Sequence, residues 1–208
     1  MNDTLIIAGF STTPLELISF VLSIATVLLN ILRKHWAWLF AIVSSATYGI
    51  VFFDARLYGD AGLQGVFIVA SLWGWYQWLR GGRLTADGTG SADSEPLVVT
   101  RLDRAGWTGS LAGWVLAWLL LWAFLGRFTN TDVPGTDAFL TAGSLLGTLL
   151  TARKKVENWH TWIVVDVIYV GLYLHKHLYL TAVLYALFVV LAVLGLRTWR
   201  RAAREGAR

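Results

Sequence analysis

The chain contains no cysteine, which excludes disulfides and leaves its redox compartment unreadable. It is poor in charge. Only 14% of its 208 residues are Asp, Glu, Lys or Arg, against about 25% in an ordinary soluble domain. It has three prolines, Pro14, Pro96 and Pro134, all outside the long apolar runs, where a missing N–H costs little. The N-terminal stretch MNDTLIIAGFSTTPLEL has no basic n-region. A cleavable signal peptide is therefore not expected, and the first apolar segment should stay in the protein.

What is present is apolar. Hydrophobic residues make up 56% of the chain and the mean hydropathy is +0.59. Seven segments approach the roughly 20 residues that a bilayer requires: 15–32, 36–53, 61–79, 107–126, 137–152, 158–174 and 178–196. The expected fold is an all-α integral membrane protein of seven transmembrane helices. The connection 80–106 is rich in Gly, Ser, Thr and Asp in its first half and reads as a mobile cytoplasmic loop. Of the 17 Lys and Arg, all but Arg56, Arg127 and Lys176 fall on the side shared by loops 33–35, 80–106 and 153–157 and the C-terminal tail. The positive-inside rule then places the N-terminus outside and the C-terminus in the cytoplasm of a plasma (inner) membrane protein. The net charge of +4 belongs to this asymmetry. The basic tail 201–208, with the arginines just before it, reads as an anchor for anionic lipid rather than as a nucleic-acid contact.

The sequence also repeats. A shift of 121 residues pairs Trp38 with Trp159, Tyr48 with Tyr169, Phe52 with Tyr173, Gly74 with Gly195 and Trp78 with Trp199. Residues 15–79 thus form one three-helix copy and 137–200 the other, with segment 107–126 carrying the chain back across. Both copies start outside, so the plan is 3+1+3 with parallel repeats. In the linking segment, Trp114, Trp118 and Trp122 recur every four residues. Their stripe reads as lipid contact and interfacial anchoring in preference to an oligomer interface. Gly109 and Gly113 there, and Gly143 and Gly147 in the fifth segment, are candidates for close helix packing.

One stretch stands apart. In NWHTWIVVDVIYVGLY, residues 158–173, Trp159, Trp162, Asp166, Tyr169 and Tyr173 share one helical face. Asp166 sits about 10 Å along the axis from Trp159, near mid-membrane, where an acid costs on the order of 2.5–3.5 kcal/mol. A cationic ligand, a proton or interhelical hydrogen bonds must offset that. An aromatic pair beside a carboxylate suits a flat cation. The repeat mate of Asp166 is Ser45, so the two copies differ chemically at this depth. Gln64, in the third segment, offers two donors and an acceptor. His160, His175 and His177 could in principle serve a metalloenzyme. However, His160 lies at the opposite end of its helix from the other two, so neither an enzyme nor a cofactor is expected.

VENWHTWIVVDVIYVGLY with LYLTAVLYALF, and ATYGIVFFDARLYGDAGLQGVFIVASLWGWYQW, resemble the sixth and seventh and the second and third spans of the PnuC family of vitamin transporters. The resemblance covers nearly all of residues 15–200. It implies a SWEET-like 3+1+3 fold and facilitated diffusion of nicotinamide riboside, with a cytoplasmic kinase trapping the product. The family motif W-x-x-W-x-x-x-N/D falls on Trp159, Trp162 and Asp166, and the family's glutamine falls on Gln64. Where nicotinamide riboside members often carry Asn, this chain has Ser44. The implied substrate site therefore comprises Trp159, Trp162, Asp166, Gln64, Tyr169, Ser44, Ser45 and Tyr48. Related members carry thiamine or riboflavin, which stay open as substrates, as does proton coupling through Asp166. The chain has no G-x-x-x-x-G-K-[ST] loop, and a homo-oligomer is compatible with all of this.

Overall fold

The computed structural model describes residues 5–7, 10–12, 14–54, 58–80, 98–129, 133–175 and 179–205. The first half of the 80–106 loop, together with Arg56, Lys176, His177 and residues 206–208, lies outside them. The described residues form seven helices: α1 (Pro14–Ile31), α2 (Ala37–Asp54), α3 (Tyr58–Arg80), α4 (Arg104–Phe128), α5 (Pro134–Ala152), α6 (Asn158–His175) and α7 (Tyr179–Glu205). Every expected span is matched by one helix, most to within three residues at either end. The exception is α7, which runs on to Glu205 and takes up the start of the expected tail. A short addition to the all-α expectation precedes α1. Strands β1 (Leu5–Ile7) and β2 (Phe10–Thr12) pair antiparallel, with Leu5 opposite Thr12.

Local chemistry explains the helix boundaries. Pro134 occupies the first turn of α5, where its missing N–H is no loss. Asp103 caps α4 by accepting from the Gly106 amide at 2.7 Å, satisfying one of the free donors of a helix start. Helices of 18 to 27 residues rise about 27–40 Å, enough for a hydrocarbon core of about 30 Å. By length and hydropathy together, Arg104–Phe128 and Thr181–Glu205 are the two helices among the described residues long and apolar enough to cross a membrane. Large apolar side chains face outward along the helices, among them Val21, Val69, Leu116, Leu120, Val183 and Val190. In water such a surface would be an aggregation hazard, whereas in lipid it is ordinary.

The chain divides into two compact units, residues 1–75 and 76–208. In the first, α1 packs on α2. Their connection closes by a left-handed residue, Arg33 (φ 58°). The Arg33 amide donates to the Asn30 carbonyl at 3.0 Å and the Lys34 amide to Leu29 at 2.9 Å, the paired bonds of a Schellman helix end. Just beyond it, the buried Trp38 ring lies against Gly74 so closely that a Cβ there would collide with it.

In the second unit, α4 packs on α5, α5 on α6, and α6 on α7. The α5–α6 connection turns at Lys154 (φ 48°). Its amide donates to Thr151 at 3.0 Å, and that of Lys155 to Leu150 at 2.9 Å. Trp159 then seats its ring on Gly195, where a Cβ would come within 2.6 Å of it. Trp199, fully buried, meets Trp159 edge to face at 5.5 Å. Trp78 donates its indole N–H to the Thr151 carbonyl at 3.1 Å, and the Lys154 ammonium lies 4.5 Å from the Trp78 ring centre.

Two tryptophans of the α4 stripe depart from the sequence reading. Trp114 donates its indole N–H to the Phe139 carbonyl at 3.1 Å and Trp118 to the Gly135 carbonyl at 2.9 Å. The helices run in opposite directions, so a four-residue step on α4 meets a four-residue step on α5. Trp114 and Trp118 are therefore part of an intrachain seam, whereas Trp122 stays exposed. Gly143 serves the seam, since a Cβ there would lie 2.6 Å from Trp114 and from Val165, whereas Gly109 and Gly113 face open space. Trp114→Phe and Trp118→Phe keep the rings but remove the donors. Each should cost about 0.6 kcal/mol, the average for an interhelical hydrogen bond in a membrane. The pair should lower the melting temperature in detergent by a few degrees. An unchanged melting curve for the double variant would return the stripe to lipid.

Candidate functional site

The α6 stripe is divided between its neighbours. Trp159 turns toward α7 and is 3% exposed, sealed by Trp199 and the Gly195 backbone. This placement fits a packing role better than the ligand contact expected of it. Trp162 turns toward α5, where its ring sits about 3 Å from where a Gly147 Cβ would be; it is half-buried.

Asp166 is the unusual residue. It is 6% exposed, yet no hydrogen bond or ion pair reaches its carboxylate from the described residues. Buried carboxylates are normally paired, because leaving one bare forfeits its hydration without return. One turn on, Tyr169 and Tyr173 stack at 5.8 Å with 15° between their planes. Tyr185 of α7 closes on both, at 4.5 and 5.2 Å, and Phe188 meets Tyr185 edge to face at 5.6 Å. The second unit thus holds an unpartnered acid beside three clustered tyrosines, a surface suited to a flat ring and especially to a cationic one.

Tyr185 was not among the expected site residues. The repeat contained a signal for it, because a shift of 121 residues pairs Tyr185 with Gln64, a residue that was singled out.

In the first unit, a groove of about 460 Å³ runs between α2 and α3, lined chiefly by apolar residues. Ser45 and Gln64 are its polar groups. Ser44, the next residue, turns instead toward α1, its hydroxyl 3.2 Å from that of Ser23. It is buried, so this geometry gives it a helix-packing bond and not a place in the groove. Tyr48 is half-buried and does not line the groove. His160 and His175 stand near opposite ends of α6, too far apart to share one metal ion. No cluster of three or more candidate metal ligands occurs among the described residues.

Long apolar helices with outward-facing aliphatic side chains mark a polytopic membrane protein. Residues 13–201 match the family described as nicotinamide mononucleotide transporter, and the chain belongs to that family, the PnuC-type vitamin transporters. A riboflavin/roseoflavin transporter of Streptomyces davaonensis, RibM, is 29% identical over 196 residues, covering 93% of this chain and 87% of that protein. The nicotinamide riboside transporter PnuC of Escherichia coli (strain K12) is 25% identical over 221 residues, covering 95% and 89%. The crystal structure of the vitamin B3 transporter PnuC has the same fold. Its TM-score is 0.70 at 21% identity, over 92% of this chain and 82% of that one.

Proposed function

We propose that this transporter carries a flat, positively charged vitamin, nicotinamide riboside, by facilitated diffusion, and that a cytoplasmic kinase traps the product. The observation that carries the proposal is Asp166, buried beside Tyr169, Tyr173 and Tyr185 with no partner among the described residues. A bound cation supplies the missing partner and the aromatic rings supply stacking faces. The half-buried Trp162 lies one turn before the acid.

The wider plan is 3+1+3 with parallel repeats, the N-terminus outside and the C-terminus in the cytoplasm. In its support, the two left-handed turns use corresponding hydrogen bonds, and Trp38 on Gly74 corresponds to Trp159 on Gly195. The basic side chains concentrated on one side support the orientation.

Riboflavin is the second reading, favoured by the likeness to RibM. Proton coupling through Asp166 and thiamine as substrate are further alternatives. Titrating purified protein calorimetrically with nicotinamide riboside, thiamine and riboflavin separates the vitamins. Nicotinamide riboside should give the tightest binding, and neutral riboflavin should bind at least tenfold more weakly, a difference of about 1.4 kcal/mol. Saturable riboflavin binding without any for nicotinamide riboside would overturn the proposal.

A further inference from the structure

At the end of the second unit opposite the tyrosine cluster, three elements converge on His160. The last turns of α7 carry Arg197, Arg200, Arg201 and Arg204, all exposed and at helical spacing for one face. Arg200 donates from Nη2 to Nε2 of His160 at 2.9 Å, which holds that guanidinium in place. The Trp107 ring, in the first turn of α4, lies 6.1 Å from the His160 ring. Arg101 stands between Thr100 and Leu102, both bonded to the segment that leads into α6.

Arg101 belongs to a stretch that is pinned down. The Thr100 amide donates to the Lys154 carbonyl at 3.1 Å, and the Thr100 carbonyl accepts from Val156 at 3.0 Å. The Leu102 amide donates to Glu157 at 2.9 Å, and the Lys155 ammonium to the Thr100 hydroxyl at 2.8 Å. The acids nearby are already engaged or peripheral. Glu157 is buried and holds the Leu102 amide, Asp103 caps α4, and Glu205 ends α7. No carboxylate pairs with Arg101, Arg197, Arg200 or Arg201 among the described residues. The starts of α4 and α6 add their positive dipole ends to the same corner.

We propose that this corner binds the phosphate headgroup of an anionic phospholipid, with Arg200 and Arg101 as its principal ligands. The reason for a lipid is the surface next to it. Trp107, Leu111, Val115 and Leu119 form an exposed ridge that runs from the basic corner along α4, a track for an acyl chain below the phosphate. This makes a specific site of what the sequence offers only as a basic tail. It does not depend on which vitamin is carried.

The test uses the full chain in detergent, titrated with dioleoyl phosphatidylglycerol and read by native mass spectrometry. Arg101→Gln with Arg200→Gln should weaken phosphatidylglycerol binding about 25-fold, at about fivefold for each basic side chain removed. Arg33→Gln with Lys34→Gln, which removes equal charge from the α1–α2 turn, should leave it within about twofold. Arg200→Lys, which keeps the charge, should retain most of the affinity and so control for folding. Equal losses in the two double variants would reduce the site to diffuse attraction and overturn the proposal. It is equally overturned if phosphatidylcholine binds as tightly, or if millimolar inorganic phosphate displaces the lipid, which would mark a free-anion site.

Discussion

Replacing Asp166 by asparagine should weaken binding of nicotinamide riboside by roughly 10- to 150-fold, since a hydrogen bond to a charged group is worth about 1.5–3 kcal/mol. The substitution preserves shape and an acceptor oxygen but removes the charge. Binding of the reduced riboside, whose ring is neutral, should therefore change little. Asp166→Ala should lose the cation at least as severely. Asp166 has no partner among the described residues to be orphaned by these changes, so they should leave the melting temperature near that of the parent. Calorimetry of both variants with both ligands decides the role. If asparagine is tolerated and alanine harms the two ligands alike, the carboxylate bonds ribose hydroxyls instead. Parental affinity in Asp166→Ala would remove the residue from the site altogether.

Gly195→Ala should destabilise the fold by about 1–3 kcal/mol, the usual cost of overpacking. The added methyl would sit 2.6 Å from three atoms of the Trp159 ring. That ring cannot retreat, because Trp199 closes the other side. Gly171→Ala is the contrasting case. Nothing lies within 4 Å of its new methyl, so only the helix-propensity gain of up to about 1 kcal/mol applies. The two substitutions should move the melting temperature in opposite directions. Adding Trp159→Phe to Gly195→Ala should recover part of the loss, since the smaller ring makes room. It also removes a buried indole N–H that has no acceptor among the described residues. A Gly195→Ala protein as stable as the parent would show that the ring moves more easily than its surroundings suggest.

The spans were legible because each helix must bury or immerse an apolar stretch of bilayer length, and such runs are a one-dimensional property. The α4 stripe was not legible in the same way. Three tryptophans four residues apart look alike whether they meet lipid, a second chain or α5; only the carbonyls of Gly135 and Phe139 decide. Ser44 and Ser45 show the same limit at finer grain. Neighbours on a helix point about 100° apart, and the sequence does not say which faces Ser23 and which the groove. The five-residue stripe on α6 was correctly placed on one helix. Its members nonetheless went to different neighbours, because α6 packs against both α5 and α7. Tyr185 was missed because its weight comes from rings on another helix, although the repeat already matched it to a residue of interest.

The paired turns also bear on ancestry. On the duplicated plan proposed above, a three-helix ancestor already owned the left-handed basic residue, the tryptophan after it and the glycine that receives its ring, since both descendants keep them as Arg33, Trp38 and Gly74 and as Lys154, Trp159 and Gly195. The groups that could touch a solute differ between the copies: Ser45 answers to Asp166, and Gln64 to Tyr185. Architecture was inherited in duplicate, and selectivity was written afterwards in the differences. New specificity in this scaffold is therefore to be sought where the two halves already disagree.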